Sequence, residues 1–300
     1  MGFGAWFDAL AGAGLGLLIG SFLNVVVYRL PQMLARQWWQ DCVDYLGELG
    51  LPETALRKTL QSSGAKAPVL VDAAQLDLLR PASRCRQCNH AIAWYENLPL
   101  LSYAFLRGKC SSCGVPIGLR YPLVELTTGV LFAFCVWRWG WTPTAALWCG
   151  FSAALLALAL IDWDTTLLPD SLTLPLLWAG LLAAAFGLSG TALPGALYGA
   201  AAGYMSLWLV YWAFKLLTGK EGMGFGDFKL FAALGAWFGW SALVPIILMA
   251  SVIGAVVGIA LKFGPGLREG GYVPFGPFLA AAGFTAMFFG PQAVLRSVGL

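Results

Sequence analysis

Residues 143–164 read PTAALWCGFSAALLALALIDWD, an apolar run that meets no charge until it ends on two acids, Asp162 and Asp164. A helix needs ~17–25 apolar residues to cross a bilayer, and this run supplies them. Comparable stretches lie on either side, at about 5–28, 121–138, 171–188, 192–217, 227–241, 242–263 and 273–290. Two of them, 171–188 and 227–241, sit at or below the lower length bound. The expected fold class is therefore all-α: a polytopic membrane protein with about eight transmembrane helices.

Composition points the same way. Of the 300 residues, 59% are apolar and only 11% are charged, against roughly 25% in an ordinary soluble domain. A net charge of +3 is too small to point to nucleic acid, so no nucleic-acid partner is expected, whereas the lipid bilayer is. The first apolar stretch, Ala5 to Tyr28, carries Asp8 near its start and no Lys or Arg before it. It reads as a retained helix, not a cleaved signal.

The one long polar segment, 29–120, holds 11 of the 18 basic residues. Positive loops stay in the cytoplasm, and Arg29 and Arg120 stand at its two membrane ends, where that rule is strongest. Counting crossings from there puts Asp162 inside, then Lys215, Lys220, Glu221, Asp227 and Lys229, then Lys262, Arg268 and Glu269. The outer connections keep little charge beyond Arg138 and Arg296. The expected domains are 1–30, a first transmembrane helix; 31–120, a cytoplasmic loop domain; and 121–300, the remaining helices. The insertion 32–79 reads as a solvated loop with a short helix.

Acids at the edge of apolar helices are costly and so call for a role. Two clusters qualify: Asp162, Asp164 and Asp170 after one helix, and Asp227 after Gly222, Gly224 and Gly226. Both fall at the same membrane face, so 65 positions of separation do not keep Asp162 and Asp227 apart. Two facing carboxylates suit peptide hydrolysis, because neighbouring like charges keep one proton between them. One then takes a proton from water while the other polarises the scissile carbonyl. The glycines let a substrate strand or a neighbouring helix come close. Plainer readings stand beside this: Asp227 and Asp170 as helix N-caps, Asp162 and Asp164 as interfacial residues. Asp162 resists capping, because it ends a helix, where the dipole disfavours a carboxylate. A proton-relaying transporter would place its acids nearer the bilayer midplane, and an assembly anchor would not need them at all.

Cys85-x2-Cys88 and Cys110-x2-Cys113 are separated by 21 residues. Two such pairs resemble the knuckles of a zinc ribbon, and a cytoplasmic loop disfavours disulfides. The four thiols are expected to hold structural Zn2+, making 31–120 a small zinc-ribbon-like domain. His90 reads as a bystander. Cys42, Cys135 and Cys149 read as small buried hydrophobes.

The GxGD stretch Gly222–Asp227 with Phe228 and Lys229 resembles the signature of the type IV prepilin peptidases, which also serve type II secretion. Four more stretches resemble that family in order: Gly20–Val26 with Tyr28–Pro31; Glu96-Asn97 through Ser102-Tyr103; Arg107–Cys110 with Arg120-Tyr121-Pro122 and Glu125; and Asp162 through Pro175. The resemblance implies that Asp162 and Asp227 are the catalytic pair, with Gly224, Gly226, Lys229, Asp164 and Asp170 supporting that segment. It implies an inner-membrane aspartyl endopeptidase that removes the leader of prepilins or pseudopilins on the cytoplasmic side. It further implies N-methylation of the new terminus with S-adenosylmethionine, the Glu96–Ser102 segment being the candidate neighbourhood for that site.

Overall fold

The computed structural model describes residues 3–50, 54, 58, 77–85, 87–263 and 273–290. Arg57, Lys66, Arg86, Arg268, Glu269 and Arg296, which entered the charge count, and half of the insertion 32–79 lie outside the described residues. The chain divides into two compact units, one made of Met1–Gly20 with Leu123–Leu300, the other of Ser21–Pro122.

Helices dominate, and the described residues form no β-strand beyond two isolated bridges. The long helices are α1 (Phe3–Glu48), α3 (Arg120–Trp139), α4 (Pro143–Thr165), α5 (Asp170–Ala185), α6 (Leu193–Thr218), α7 (Phe225–Phe238), α8 (Leu243–Phe263) and α9 (Gly276–Phe289). A short α2 (Leu101–Phe105) precedes α3. Each apolar stretch of the sequence falls on one long helix. Four spans are long and apolar enough to cross a membrane: within α1, in α4, in α6, and over Trp240–Phe263, which contains α8. The chain is thus an all-helical protein with four candidate membrane-crossing helices.

Helix α1 departs from the sequence expectation. Its apolar stretch stops near Tyr28, yet the helix runs through Pro31 to Glu48. At 46 residues it is about 70 Å long, more than twice the ~30 Å of a bilayer's hydrocarbon core. Residues 32–48 mix apolar residues with Gln, Arg, Asp and Glu, and good helix formers such as Gln32, Met33, Leu34, Ala35 and Arg36 carry the helix on, so the end of the unbroken apolar run is not the end of the helix.

In the first unit the helices close on each other through small residues. Gly12, Gly16 and Gly20 lie one turn apart on α1. A Cβ at Gly16 would come within 2.6 Å of the Thr128 carbonyl on α3, and one at Gly20 within 2.7 Å of Glu125 Cα. On α7 and α6, Gly235 and Gly199 press backbone on backbone. In lipid, where apolar surface gains nothing from leaving the solvent, such close approach is what drives helix pairing. Helix α7 is the centre of this unit: Phe228 and every residue from Leu230 to Trp237 are buried. A helix apolar all round belongs inside a bundle. Trp237 fixes it to α5 by donating its indole N–H to the Leu176 carbonyl at 2.9 Å.

The ends of these helices are locally encoded. Thr142 caps α4 by accepting from the Ala145 N–H at 3.3 Å, and Pro143 opens the first turn. Gly219 closes α6 at φ 69°, a left-handed conformation that glycine adopts without strain. Cys135 and Cys149, on consecutive helices, meet within hydrogen-bonding reach between α3 and α4 and are both buried, as small hydrophobes should be, whereas Cys42, expected to be buried too, is exposed on the polar extension of α1.

Candidate functional site

Asp162 stands in the last turn of α4. Its backbone carbonyl accepts the N–H of Thr166, whose left-handed φ of 55° stops the helix. The chain then turns through buried Leu168 and Pro169 into α5. Asp227 stands in the first turn of α7, whose N-cap is Gly224. Asp227 is therefore not the N-cap residue; its carboxylate reaches back to the Gly224 backbone, which leaves one oxygen for other work.

The two acids come together. Asp162 is 4% exposed and Asp227 7%, and each lies in the other's electrostatic range. The Asp227 oxygen Oδ1 is buried with no hydrogen-bond partner among the described residues. Oδ2 of Asp162 accepts the backbone N–H of Gly276 at 2.9 Å, at the start of α9. Leu168 packs between the segments: a Cβ on Gly226 would lie 2.6 Å from Leu168 Cβ, and one on Gly276 would lie 3.3 Å from Leu168 Cδ1.

The three glycines before Asp227 have separate uses. Gly222 faces the Phe214 ring, where a Cβ would sit at 2.9 Å. Gly226 admits Leu168. Only Gly224 faces the carboxylate, its Cβ position lying 3.8 Å from Asp227 Oδ2. The close approach expected of them is thus met largely by neighbouring segments of the same chain. The loop before them is tied down where Lys215 reaches Glu221 at 2.8 Å, with the Tyr211 hydroxyl donating to the same oxygen at 3.3 Å.

The capping reading of Asp170 is corrected. Pro169 occupies the N-cap, Asp170 is the first residue of α5, and no side chain caps the helix. Its carboxylate instead receives Lys229 of α7, at 2.6 and 2.7 Å. The pair ties the two acid-bearing segments together from outside. Asp164 is exposed on the last turn of α4. Gly276 escaped the sequence reading altogether. Its signal was a glycine set between prolines, Pro274-Phe275-Gly276-Pro277, at the head of the last apolar run.

The second unit holds the cysteines. Sγ atoms of Cys85 and Cys113 are 3.8 Å apart and those of Cys88 and Cys110 4.0 Å, and all four lie within 4.8 Å of one another. With metal–sulfur bonds of about 2.3 Å, a tetrahedral site has sulfur–sulfur edges of about 3.8 Å. The four thiols fit a metal ion.

Each CxxC pair sits on the same turn. Cys85 N–H donates to the His90 carbonyl and Asn89 N–H to the Cys85 carbonyl; Cys110 N–H donates to the Val115 carbonyl and Gly114 N–H to the Cys110 carbonyl. Asn89 and Gly114, the matching residues, both have positive φ, 58° and 70°. Isolated bridges Arg84–Ala91 and Lys109–Pro116 close the two loops. Two backbone N–H groups, of Cys88 and Gln87, aim at the Cys85 sulfur and push its thiol down to about 6. That is the state a metal requires. His90 faces Glu96 at 3.5 Å and takes no place among the sulfurs.

Elsewhere in this unit Arg29, counted above as a membrane-end charge, is buried. It donates to the carbonyls of Asp77 at 2.9 Å and Pro81 at 2.7 Å. Asn24 likewise donates to the Tyr121 carbonyl at 3.2 Å. Both are tethers of α1 to later segments of its own unit. Glu96 accepts from the Ala93 N–H at 2.9 Å and also engages Ser111 and His90. The Ser102 hydroxyl donates to the Leu98 carbonyl.

Comparison with known proteins bears on both units. Residues 15–139 match the bacterial peptidase A24 N-terminal domain, and residues 149–259 match the type IV leader peptidase family. The chain is similar to a prepilin leader peptidase/N-methyltransferase of Pseudomonas putida, at 49% identity over 99% of this chain and 95% of that protein. Proteins of the same description from Pseudomonas aeruginosa and Aeromonas hydrophila are each 48% identical, covering 93% and 91% of this chain and 89% and 88% of their own length. No solved structure matches.

Proposed function

The chain belongs to the type IV leader peptidase family, and from that premise we propose that it is a membrane aspartyl endopeptidase acting on prepilins or pseudopilins. The observation that carries the reading is the meeting of Asp162 and Asp227, both buried, from helices 65 positions apart. The pair holds one proton between its two carboxyl groups. The ionised member takes a proton from water as the water oxygen bonds to the scissile carbonyl carbon. The protonated member gives its proton to the carbonyl oxygen. Collapse of the tetrahedral diol breaks the carbon–nitrogen bond, and the amine leaves with the proton first taken from water. Leu168, Gly224 and Gly226 shape the space around the pair, and the Lys229–Asp170 ion pair holds α7 against α5.

The proposed architecture follows from the same residues. Eight helices cross a bacterial inner membrane: one within 1–30, the rest within 121–300. The polar segment 31–120 lies in the cytoplasm and folds around Zn2+ held by Cys85, Cys88, Cys110 and Cys113. A four-thiolate site is coordinatively closed, so the metal shapes this segment and takes no part in cleavage. The substrate is a membrane helix whose basic leader is cytoplasmic, which suits acids at helix ends on that side.

N-methylation of the new terminus is the second activity proposed, resting on the names of the relatives. S-adenosylmethionine supplies an electrophilic methyl group for the freed amine. The Glu96–Ser102 segment is the proposed neighbourhood of that site: Glu96 and Ser102 hold its local turns, and Asn97 is exposed beside the cysteines.

Purified protein in detergent is mixed with a synthetic prepilin and leader removal is followed by mass. Wild type cleaves; Asp162→Asn and Asp227→Asn each lose cleavage by about 10³-fold or more, in the range seen when a paired catalytic group is removed. Cleavage retained in either variant would sink the pair. Added S-adenosylmethionine then raises the mass of the cleaved product by one methyl group.

A further inference from the structure

We infer that Gly276 is a positioning residue that fixes Asp162 as the ionised member of the pair, which leaves Asp227 to carry the proton. The inference rests on the reading of these two aspartates as catalytic.

Three observations carry it. First, the Gly276 N–H, at the head of α9, donates to Asp162 Oδ2 at 2.9 Å. A hydrogen bond given to a carboxylate favours its charged form. Second, Asp227 accepts from the Gly224 backbone yet presents a buried Oδ1 with no hydrogen-bond partner among the described residues. An ionised carboxylate would leave that oxygen both charged and unsolvated, whereas a protonated one makes it an O–H ready to donate to an incoming carbonyl. Third, position 276 has room for nothing larger. A Cβ there would lie 2.5 Å from Asp162 Oδ2 and 3.1 Å from its Cγ, with Leu168 Cδ1 at 3.3 Å. Gly276 has no left-handed φ to account for the glycine, so close approach to the carboxylate accounts for it.

Helix fields act the other way. Asp227 sits in the first turn of α7, where a negative charge is favoured, and Asp162 in the last turn of α4, where it is not. Such fields are diffuse, and α9 opposes that of α4 by aiming its own first turn at Asp162. Each carboxylate receives one backbone N–H, from Gly276 for Asp162 and from Gly224 for Asp227, but Asp227 alone keeps a bare buried oxygen, and the cost of charging it outweighs the fields. The roles divide accordingly. Asp162 accepts the proton of water while the water oxygen bonds to the carbonyl carbon, and Asp227 passes its proton to the carbonyl oxygen. Both carboxyl groups return to their starting states when the amine departs.

Two measurements test this. In infrared spectra of the full-length protein, the carbonyl stretch of a buried protonated carboxyl is expected in wild type and Asp162→Asn and absent from Asp227→Asn. Its loss from Asp162→Asn with survival in Asp227→Asn reverses the assignment and overturns the inference while leaving the catalytic pair intact. In cleavage assays, Gly276→Ala lowers kcat by about 100-fold, the scale set by displacing a catalytic group by about an ångström, with KM changed little. Adding Leu168→Ala removes the only other close contact and does not restore kcat. Restoration by Leu168→Ala would show that Gly276 serves packing alone. If Gly276→Ala does not fold, the infrared comparison of the two asparagine variants decides. Cleavage surviving in either asparagine variant overturns the pair, and this inference with it.

Discussion

At the scale of single residues, the glycines of the GxGD stretch separate by what a methyl group would strike. At Gly226 it meets Leu168 Cβ at 2.6 Å, an atom held by backbone that cannot swing aside. At Gly224 it meets nothing nearer than 3.8 Å, and the backbone there, φ −82° and ψ 150°, suits any residue. Gly226→Ala is therefore expected to destabilise by about 1–3 kcal/mol, as overpacking does, and to abolish most cleavage. Gly224→Ala should shift the unfolding midpoint by less than about 0.5 kcal/mol. Thermal unfolding in detergent beside the cleavage assay checks both, and equal damage from the two would refute the distinction. Such differences were not legible in sequence, where both positions are simply glycine. The acids were legible because charge at the edge of apolar helices is rare enough to announce itself. Gly276 was not, because it contributes only a backbone N–H, nor was the burial of Arg29, whose bonds to two distant carbonyls leave no mark in the letters.

At the scale of elements, seven of the eight apolar stretches gave helix boundaries within a few residues, because apolarity, Pro143, Thr142 and Gly219 all act locally. The exception is the far end of α1, where a helix continues past its apolar part. The repeat of the two cysteine turns was also hidden. The turns share only two cysteines, a preceding basic residue and a following Asn or Gly able to take positive φ. Pairing of α6 with α7 depends on Gly199 and Gly235, whose backbones touch. A larger side chain at either must push the helices apart along their length and disturb the first turn of α7, where Asp227 lies. Gly199→Leu should cost about 1–3 kcal/mol or more and reduce the yield of folded protein. It should also lower cleavage, although Gly235, which Gly199 touches, lies about two turns along α7 from Asp227. Normal unfolding and cleavage by Gly199→Leu would show that the contact does not hold α7 in place.

At the scale of the whole molecule, the two units carry different burdens, one the acids and the other the four thiols. Cys110→Ser should remove bound zinc, read as one metal per chain falling to none by elemental analysis, and loosen residues 77–119 in hydrogen exchange. Metal retained by that variant would argue against a four-thiolate site. The larger question is which way the bundle lies. In the first unit, one set of helix ends carries Asp164, Asp170, Lys215, Lys220, Glu221 and Lys229, and the opposite set carries only Arg138 and Asp8 among the described residues. Charge so unequally divided is what an asymmetric translocation rule produces, with the charged ends retained inside. Single cysteines placed at Gly140, Gly190 and Trp240 should react with a membrane-impermeant maleimide in intact cells. Cysteines at Thr166 and Lys220 should react only after the membrane is opened. Labelling is read against the parent chain, whose exposed Cys42 and CxxC thiols set the background, while the buried Cys135 and Cys149 add little. The reverse pattern would turn the molecule over and put the acids out of reach of a cytoplasmic leader. A mixed pattern would mean that one of the short helices α5 and α7 does not cross, and the first site to break the alternation would identify which.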